Sequence, residues 1–485
     1  MNNLLLIILF LPLAGMALSL LPSREATGKT ALVFSLISLL LSVCLFIQFD
    51  PNGGMQQVLN YAWVPDLGIN FKIGVDGISL MMILLTNVLS PLIILSSFGR
   101  RIENPKGLYA LIQLMQFALI GVFISLDAFL FYIFWELALL PIYFICLLWG
   151  GKDRIRITLK FFIYTISGSL LMLVGLIYLY LQTPGSHTFD IQAFYDLTLS
   201  SQQQSLVFWL IFVAFAIKIP VFPLHSWQPD TYTDAPTQGT MLLSGIMLKM
   251  GLYGILRWLL PVVPAASADN AFIVMLLGII GVVYASCIAI VQKDFKRMIA
   301  YASIAHVGLI TAGLFTLKVE ALEGAVFQML SHGINAVGLF FIADMLMSRL
   351  KTHNMSEMGG IANNNSLFAV LFMIVLLGTI ALPLTNGFVG EFLLLTGIYQ
   401  FKAWMALFGG LTIILGAVYM FRSYQAIMLG SRHLNEGEFQ PMTLSEKTVL
   451  GTIAFLVILL GVYPSFLMNA AAPSIKSLLM IINAG

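Results

Sequence analysis

Two lysines lie where lysine is costly. Lys218 in WLIFVAFAIKIPVFPLH and Lys249 in MLLSGIMLKMGLYGILRWLL sit inside long apolar runs, and no nearby loop offers either ammonium a route to water. A charge at mid-bilayer costs about 2.5–3.5 kcal/mol on insertion scales, so an intramembrane lysine marks a functional site and calls for a counter-charge. Glu136, in DAFLFYIFWELALLPIYF, is the expected partner of Lys218. An ion pair offsets part of the desolvation of both groups, and a lysine whose partner can be drawn away can exchange its proton. The competing reading is a static salt bridge between two helices; for Lys249 it is a solvated lysine in a wet crevice.

Three further groups extend this chemistry. His306 in YASIAHVGL and His332 in FQMLSHGINAVG fall on neighbouring spans, and histidine passes a proton either way near neutral pH. Glu391 in NGFVGEFLLL is expected to be the far-end proton site; the alternative is a carboxylate capping a half-helix that starts near Gly390. Pro220, Pro223 and Pro383 break two helices and, with His225, are candidate gating residues. Asp230 and Asp234 are expected to be solvated loop carboxylates, and Asp344 to snorkel to water. Tyr109, Trp149, Trp258 and Tyr463 are expected as interfacial anchors. No HExxH, GxGxxG or GxxxxGK[ST] is present, and the spacings do not favour a metal. Cys44, Cys146 and Cys287 are isolated in apolar runs and read as buried structural thiols.

The elements that position these residues follow from composition. A chain of 485 residues that is 59% hydrophobic and 9% charged, with a mean hydropathy of +0.95, cannot cover a water-facing surface and reads as a polytopic membrane protein. Its net charge of +2 points to no nucleic acid. Fourteen apolar stretches are long enough to span, the first of them read as retained rather than as a cleaved signal. Of the 24 Lys and Arg, seventeen fall in loops on one side, five towards the other and two inside spans, which places both termini outside the cytoplasm.

The seventh span (206–228) and the twelfth (366–399) are interrupted by Pro220, Pro223 and Pro229, and by Pro383, Asn386, Gly387 and Gly390. Breaks five spans apart run in opposite directions, so spans 4–8 and 9–13 read as two inverted five-helix repeats, each with a broken helix, in an all-α fold. The expected organisation is spans 1–3 in 1–107, a first repeat in 108–262, a second in 270–430, and a cytoplasmic loop with span 14 in 431–485.

The run from Ile217 to Arg257, with DFKRMIAYASIAHVG at 294–308, FFIYTISGSLLML at 161–173 and NGFVGEF at 386–392, closely resembles the antiporter-like subunits of respiratory complex I. The resemblance covers spans 4–13. It implies that Glu136 and Lys218 are the family's glutamate–lysine pair, Lys249 its central lysine, His306 and His332 its hydrophilic-axis histidines and Glu391 its exit residue. Sister chains L and N usually carry lysine at that last position, where this chain has an acid; L- and N-type chains are the implied neighbours in the membrane arm. It further implies a proton-translocating subunit of NADH:quinone oxidoreductase in a bacterial inner membrane, with NADH, FMN, iron–sulfur clusters and quinone held by other subunits. A subunit of an Mrp-type cation/proton antiporter, or of a related hydrogenase or ferredoxin-linked complex, is the alternative.

Overall fold

The computed structural model describes residues 3–429 and 439–484, so part of the expected loop at 431–485, including Arg432, lies outside the described residues. Two apolar helices, α1 (Leu4–Ser19) and α2 (Thr27–Gln48), open the chain. An antiparallel hairpin follows, β1 (Gln56–Val64) and β2 (Ile69–Val75). Hydropathy does not announce it, because QQVLNYAWV and INFKIGV are too mixed and short to register in a span-length window.

Next come α3 (Gly77–Ser96), α4 (Pro105–Ile124), α5 (Ala128–Trp149) and α6 (Arg154–Gln182). Their starts are written locally. Asp76 caps α3 by accepting from Ser79 N at 2.9 Å, and Asp127 caps α5 by accepting from Phe129 N and Leu130 N at 3.0 and 3.1 Å. A short α7 (Ile191–Tyr195) leads to α8 (Ser201–Lys218), which opens on a Ser200–Gln203 capping box. After a break the chain resumes as α9 (Gln228–Asp234).

The stretch Thr237–Leu259 alternates α10 (Thr237–Leu242), a π-helical turn at Leu243–Met247, α11 (Lys249–Gly254) and a second π turn at Ile255–Leu259. Then follow α12 (Pro264–Val291), α13 (Phe295–Leu314), α14 (Val319–Leu350) and the short α15 (Ile361–Asn364). The second break separates α16 (Ser366–Thr379) from α17 (Asn386–Phe401). The chain ends with α18 (Ala403–Tyr424), α19 (Leu444–Val462) and α20 (Ser465–Ala484).

Twelve helices are long and apolar enough to cross a membrane, and α1 and α16 are shorter apolar helices. The protein is an integral membrane protein. Eleven of those twelve fall on expected spans, and α1 and the two broken helices carry the other three. The last expected span, 448–470, is corrected: Tyr463 and Pro464 end α19, and α20 is a separate helix.

The stretch 237–259 and α14 are buried along their whole apolar windows, whereas α2 buries only 28% of its own. A central layer therefore meets protein on every side, where polar groups find partners, while the periphery offers apolar surface to lipid. That layering corrects three residue readings. Cys44 and Cys287 are exposed, and only Cys146 is buried, because hydropathy does not separate a lipid-facing position from a core one. Trp258 and Tyr109 are core residues rather than interfacial anchors.

Candidate functional site: a buried chain of polar groups

The π turn at 243–247 widens the helix just before Lys249, and such turns concentrate at functional sites. The Lys249 ammonium, wholly buried, donates to the Ser244 carbonyl at 2.5 Å and meets His332 Nδ1 at 2.9 Å. That contact needs α14 to come close. A methyl group on Gly333 would stand 2.7 Å from the Gly245 carbonyl oxygen, so the absence of a side chain at Gly333 lets the two backbones meet.

His332 Nε2 lies 3.1 Å from Ser303 Oγ on α13, and its ring centre is 6.0 Å from that of His306, one turn further on. His306 Nδ1 contacts Glu391 Oε1 at 2.7 Å, and Gln328 donates to the same oxygen at 3.1 Å. A cavity of about 320 Å³ runs beside this line, bordered by Ser303, His306, Gln328, His332, Asn335 and Thr379. Four titratable groups from four elements thus form one path: Lys249, His332, His306, Glu391. Lys249 and His332 are in contact, as are His306 and Glu391, while the two imidazole centres stand 6.0 Å apart and His306 Nε2 is buried without a hydrogen-bond partner among the described residues.

Lys218 sits apart from this line. It closes α8, where the helix dipole favours a cation, and its ammonium lies 5.2 Å from the centre of the Trp135 ring. Glu136 is close enough to act on it electrostatically, but no ion pair joins the two among the described residues, and Glu136 Oε1 is buried without a hydrogen-bond partner.

Residues 125–416 match the family model described as NADH:quinone oxidoreductase/Mrp antiporter, transmembrane. The chain belongs to this family. Among its relatives, the NADH-quinone oxidoreductase subunit M of Rickettsia prowazekii (strain Madrid E) is 40% identical over 98% of both chains. The protein of the same name from Escherichia coli (strain K12) is 35% identical, covering 92% of this chain and 91% of its own. A chain of respiratory complex I from Thermus thermophilus superposes with a TM-score of 0.91 at 28% identity over 99% of both. A chain of the Mrp complex from Dietzia sp. DQ12-45-1b shares the fold, with a TM-score of 0.87 at 18% identity.

In this antiporter-family chain both breaks are built so that freed carbonyls find donors. The Trp227 indole donates to Ile217 O at 2.9 Å in the first, and Thr385 Oγ1 to Leu382 O at 2.6 Å in the second, beside Pro383. Pro220 and Pro223 lie in the connection between α8 and α9. His225 stacks on Phe222 and lies edge-on to Tyr284 of α12, away from the line of titratable groups. Glu391 is the sixth residue of α17, which starts at Asn386, so it does not cap that half-helix.

The loop carboxylates line a groove and two of them are also paired. Asp230 pairs with Lys160 at 3.1 Å and Arg297 at 3.2 Å, and Asp344, still partly exposed, accepts from Arg100 at 2.8 Å and Thr237 at 2.6 Å. Asp234 borders a groove of about 1220 Å³ with Lys296 and His353.

Several participants escape a search for charges. Ser303 and Trp135 are of this kind, and so are Gln328 and Asn335. The last two had a legible signal: Gln328, His332 and Asn335 recur at i, i+4 and i+7, a polar stripe on one face of an apolar helix. Arg257, in the second π turn, is buried in an ion pair with Asp76.

Proposed function

We propose that this chain is a proton-translocating membrane subunit of an NADH-quinone oxidoreductase, of the kind called subunit M in its full-length relatives. The observation that carries the reading is the buried line Lys249–His332 and His306–Glu391, two hydrogen-bonded pairs whose imidazole centres stand 6.0 Å apart. Quinone reduction elsewhere in the complex changes the separation of Glu136 and Lys218. The altered field at Lys249 then drives a proton along the histidines to Glu391 for release on the face opposite the Lys- and Arg-rich loops. NADH, FMN, iron–sulfur clusters and quinone belong to other subunits, and no electron passes through this chain.

The two broken helices are equivalent elements of two inverted five-helix repeats. The bulk of the basic residues lies cytoplasmic, which places the N-terminus outside a bacterial inner membrane, and L- and N-type chains flank the subunit in the membrane arm. The 35–40% identity to subunit M chains over nearly the full length supports this assignment over an Mrp-type antiporter. The decisive experiment replaces Lys218 by Ala, or Lys249 by Met, in the assembled complex and measures protons moved per electron in inside-out vesicles. Wild-type stoichiometry in both variants rejects the role.

A further inference from the structure

The protein-facing stripe of α2 is made largely of small and hydroxylic residues, among them Ser35, Ser38 and Ser42, each 0% exposed. Opposite them, equally buried, stand Asn87 of α3 and Gln113 and Gln116 of α4. None carries a charge, and none belongs to the line from Lys249 to Glu391. One directed run of hydrogen bonds joins them. Gln113 Nε2 donates to Ser35 Oγ at 3.1 Å, Ser35 Oγ to Gln116 Oε1 at 3.0 Å, Gln116 Nε2 to Asn87 Oδ1 at 2.6 Å and Asn87 Nδ2 to Ser42 Oγ at 2.6 Å. Ser42 Oγ ends the run on the Ser38 carbonyl at 2.8 Å. Bonds that point one way in a low-dielectric interior polarise one another, and removing one amide leaves its buried partner unpaired. The run therefore fixes the rotation and height of α3 between α2 and α4.

Asn87 is the link of this run that lies on α3. Residues two positions apart on a helix do not share a face, and Leu85 and Leu89, on either side of Asn87, point the other way. A methyl on Gly333 would stand 3.1 Å from Leu85 Cδ1, and one on Gly245 would stand 3.2 Å from Leu89 Cδ1. Gly333 follows His332, and Gly245 follows Ser244, whose carbonyl accepts from the Lys249 ammonium. One face of α3 thus packs on both backbones whose approach sets the 2.9 Å contact between Lys249 and His332, while the other face is held by Asn87.

We propose that Asn87 is a positioning residue for proton transfer between Lys249 and His332, acting through the register of α3. The inference rests on the proton-translocating reading above and deepens it, since it gives the uncharged interface of α2, α3 and α4 a part in the pump. In the step, the Lys249 ammonium gives one proton to His332 Nδ1, leaving a neutral amine and an imidazolium. Asn87 neither takes nor gives that proton. Its contribution is distance: a misplacement of about 1 Å caused far from the chemistry costs about 10²-fold in rate. Leu85 and Leu89 carry any turn or slide of α3 directly to the two glycines that flank the reacting pair.

The test measures the thermal transition of the assembled complex, protons moved per electron, and the ratio of coupled turnover in H₂O and D₂O. Asn87→Leu strands the Gln116 amide and is expected to lower the thermal transition. Asn87→Leu combined with Gln116→Leu strands neither amide, and the Ser35 hydroxyl can turn to the carbonyl four residues back, so stability returns. Pumping does not return with it, because α3 has lost its register, and the transfer is expected to slow about 10²-fold. A slowed transfer becomes limiting and raises the solvent isotope effect, which a loss of stability alone leaves at the wild-type value. Ser42→Ala keeps the bond between Gln116 and Asn87 and is expected to show the same changes at smaller size; it decides the matter should the double variant fail to assemble. Wild-type stoichiometry and isotope effect in whichever variant assembles overturn the role of Asn87. If Lys249→Met also pumps normally, the translocation reading has failed; if it does not, only the positioning role has.

Discussion

The Lys249 ammonium and His332 Nδ1 lie 2.9 Å apart, although 83 residues separate them in sequence. When Lys249 is an ammonium it has only protons to donate, so Nδ1 then accepts and the imidazole proton sits on Nε2, facing Ser303 at 3.1 Å. The ring is thus oriented to accept on the Lys249 side and to donate on the side towards His306.

From that geometry His332→Ala is expected to cut the proton-transfer rate between Lys249 and Glu391 by about 10²–10⁴-fold. Protons per electron should fall while the complex still assembles. The measurement is dye-detected acidification of inside-out vesicles fed with NADH, and an unchanged ratio would remove His332 from the path.

Gly333 adjoins that histidine, and its bare α-carbon sets how closely α14 approaches Gly245. Gly333→Ala forces a methyl to 2.7 Å from a backbone oxygen, a contact that only helix displacement relieves. Overpacking of this kind costs about 1–3 kcal/mol and moves His332 with the helix. The expected outcome is a lower thermal transition of the purified complex together with a loss of pumping larger than the loss of assembled protein. Gly410, with nothing within 4 Å of an added methyl, is the control: Gly410→Ala should change neither quantity.

How far the site was legible depends on the kind of signal each residue leaves. Lys249, His306, His332 and Glu391 stood out because a titratable group in an apolar run is conspicuous, and all four fall on one line. Lys218 and Glu136 were equally conspicuous, yet their contact was misjudged, since nothing local in either helix shows that the Trp135 ring lies beside the ammonium. The helix breaks could be read from proline. The π turns flanking Lys249 could not, because MLLSGIMLKMGLYGILRWLL has ordinary helical composition and tertiary packing decides where it widens. The hairpin at 56–75 was hidden by its length, and the buried Arg257 by its distance from Asp76 in sequence.

Trp227 offers a test of the first break. Trp227→Phe keeps an aromatic ring beside Phe161 but removes the indole N–H, leaving the buried Ile217 carbonyl without that partner. An unsatisfied buried acceptor costs about 1–3 kcal/mol, and this one lies next to Lys218. Reduced thermal stability with disturbed pumping is expected; a variant matching wild type in both would show that the break is held by other contacts.

The Asp76–Arg257 pair ties the start of α3 to the second π turn, with Tyr195 donating to the Arg257 carbonyl at 2.8 Å. Both side chains are buried, so removing one strands the other charge, at a cost of about 3–5 kcal/mol. Replacing both by apolar residues strands neither. Asp76→Ala should therefore sharply reduce the amount of intact complex on native gels, and Asp76→Ala combined with Arg257→Met should recover much of it. If the double variant assembles no better than the single one, the pair acts through something other than mutual neutralisation. Its position beside a cavity of about 880 Å³ that also borders Lys72 would then become the place to look.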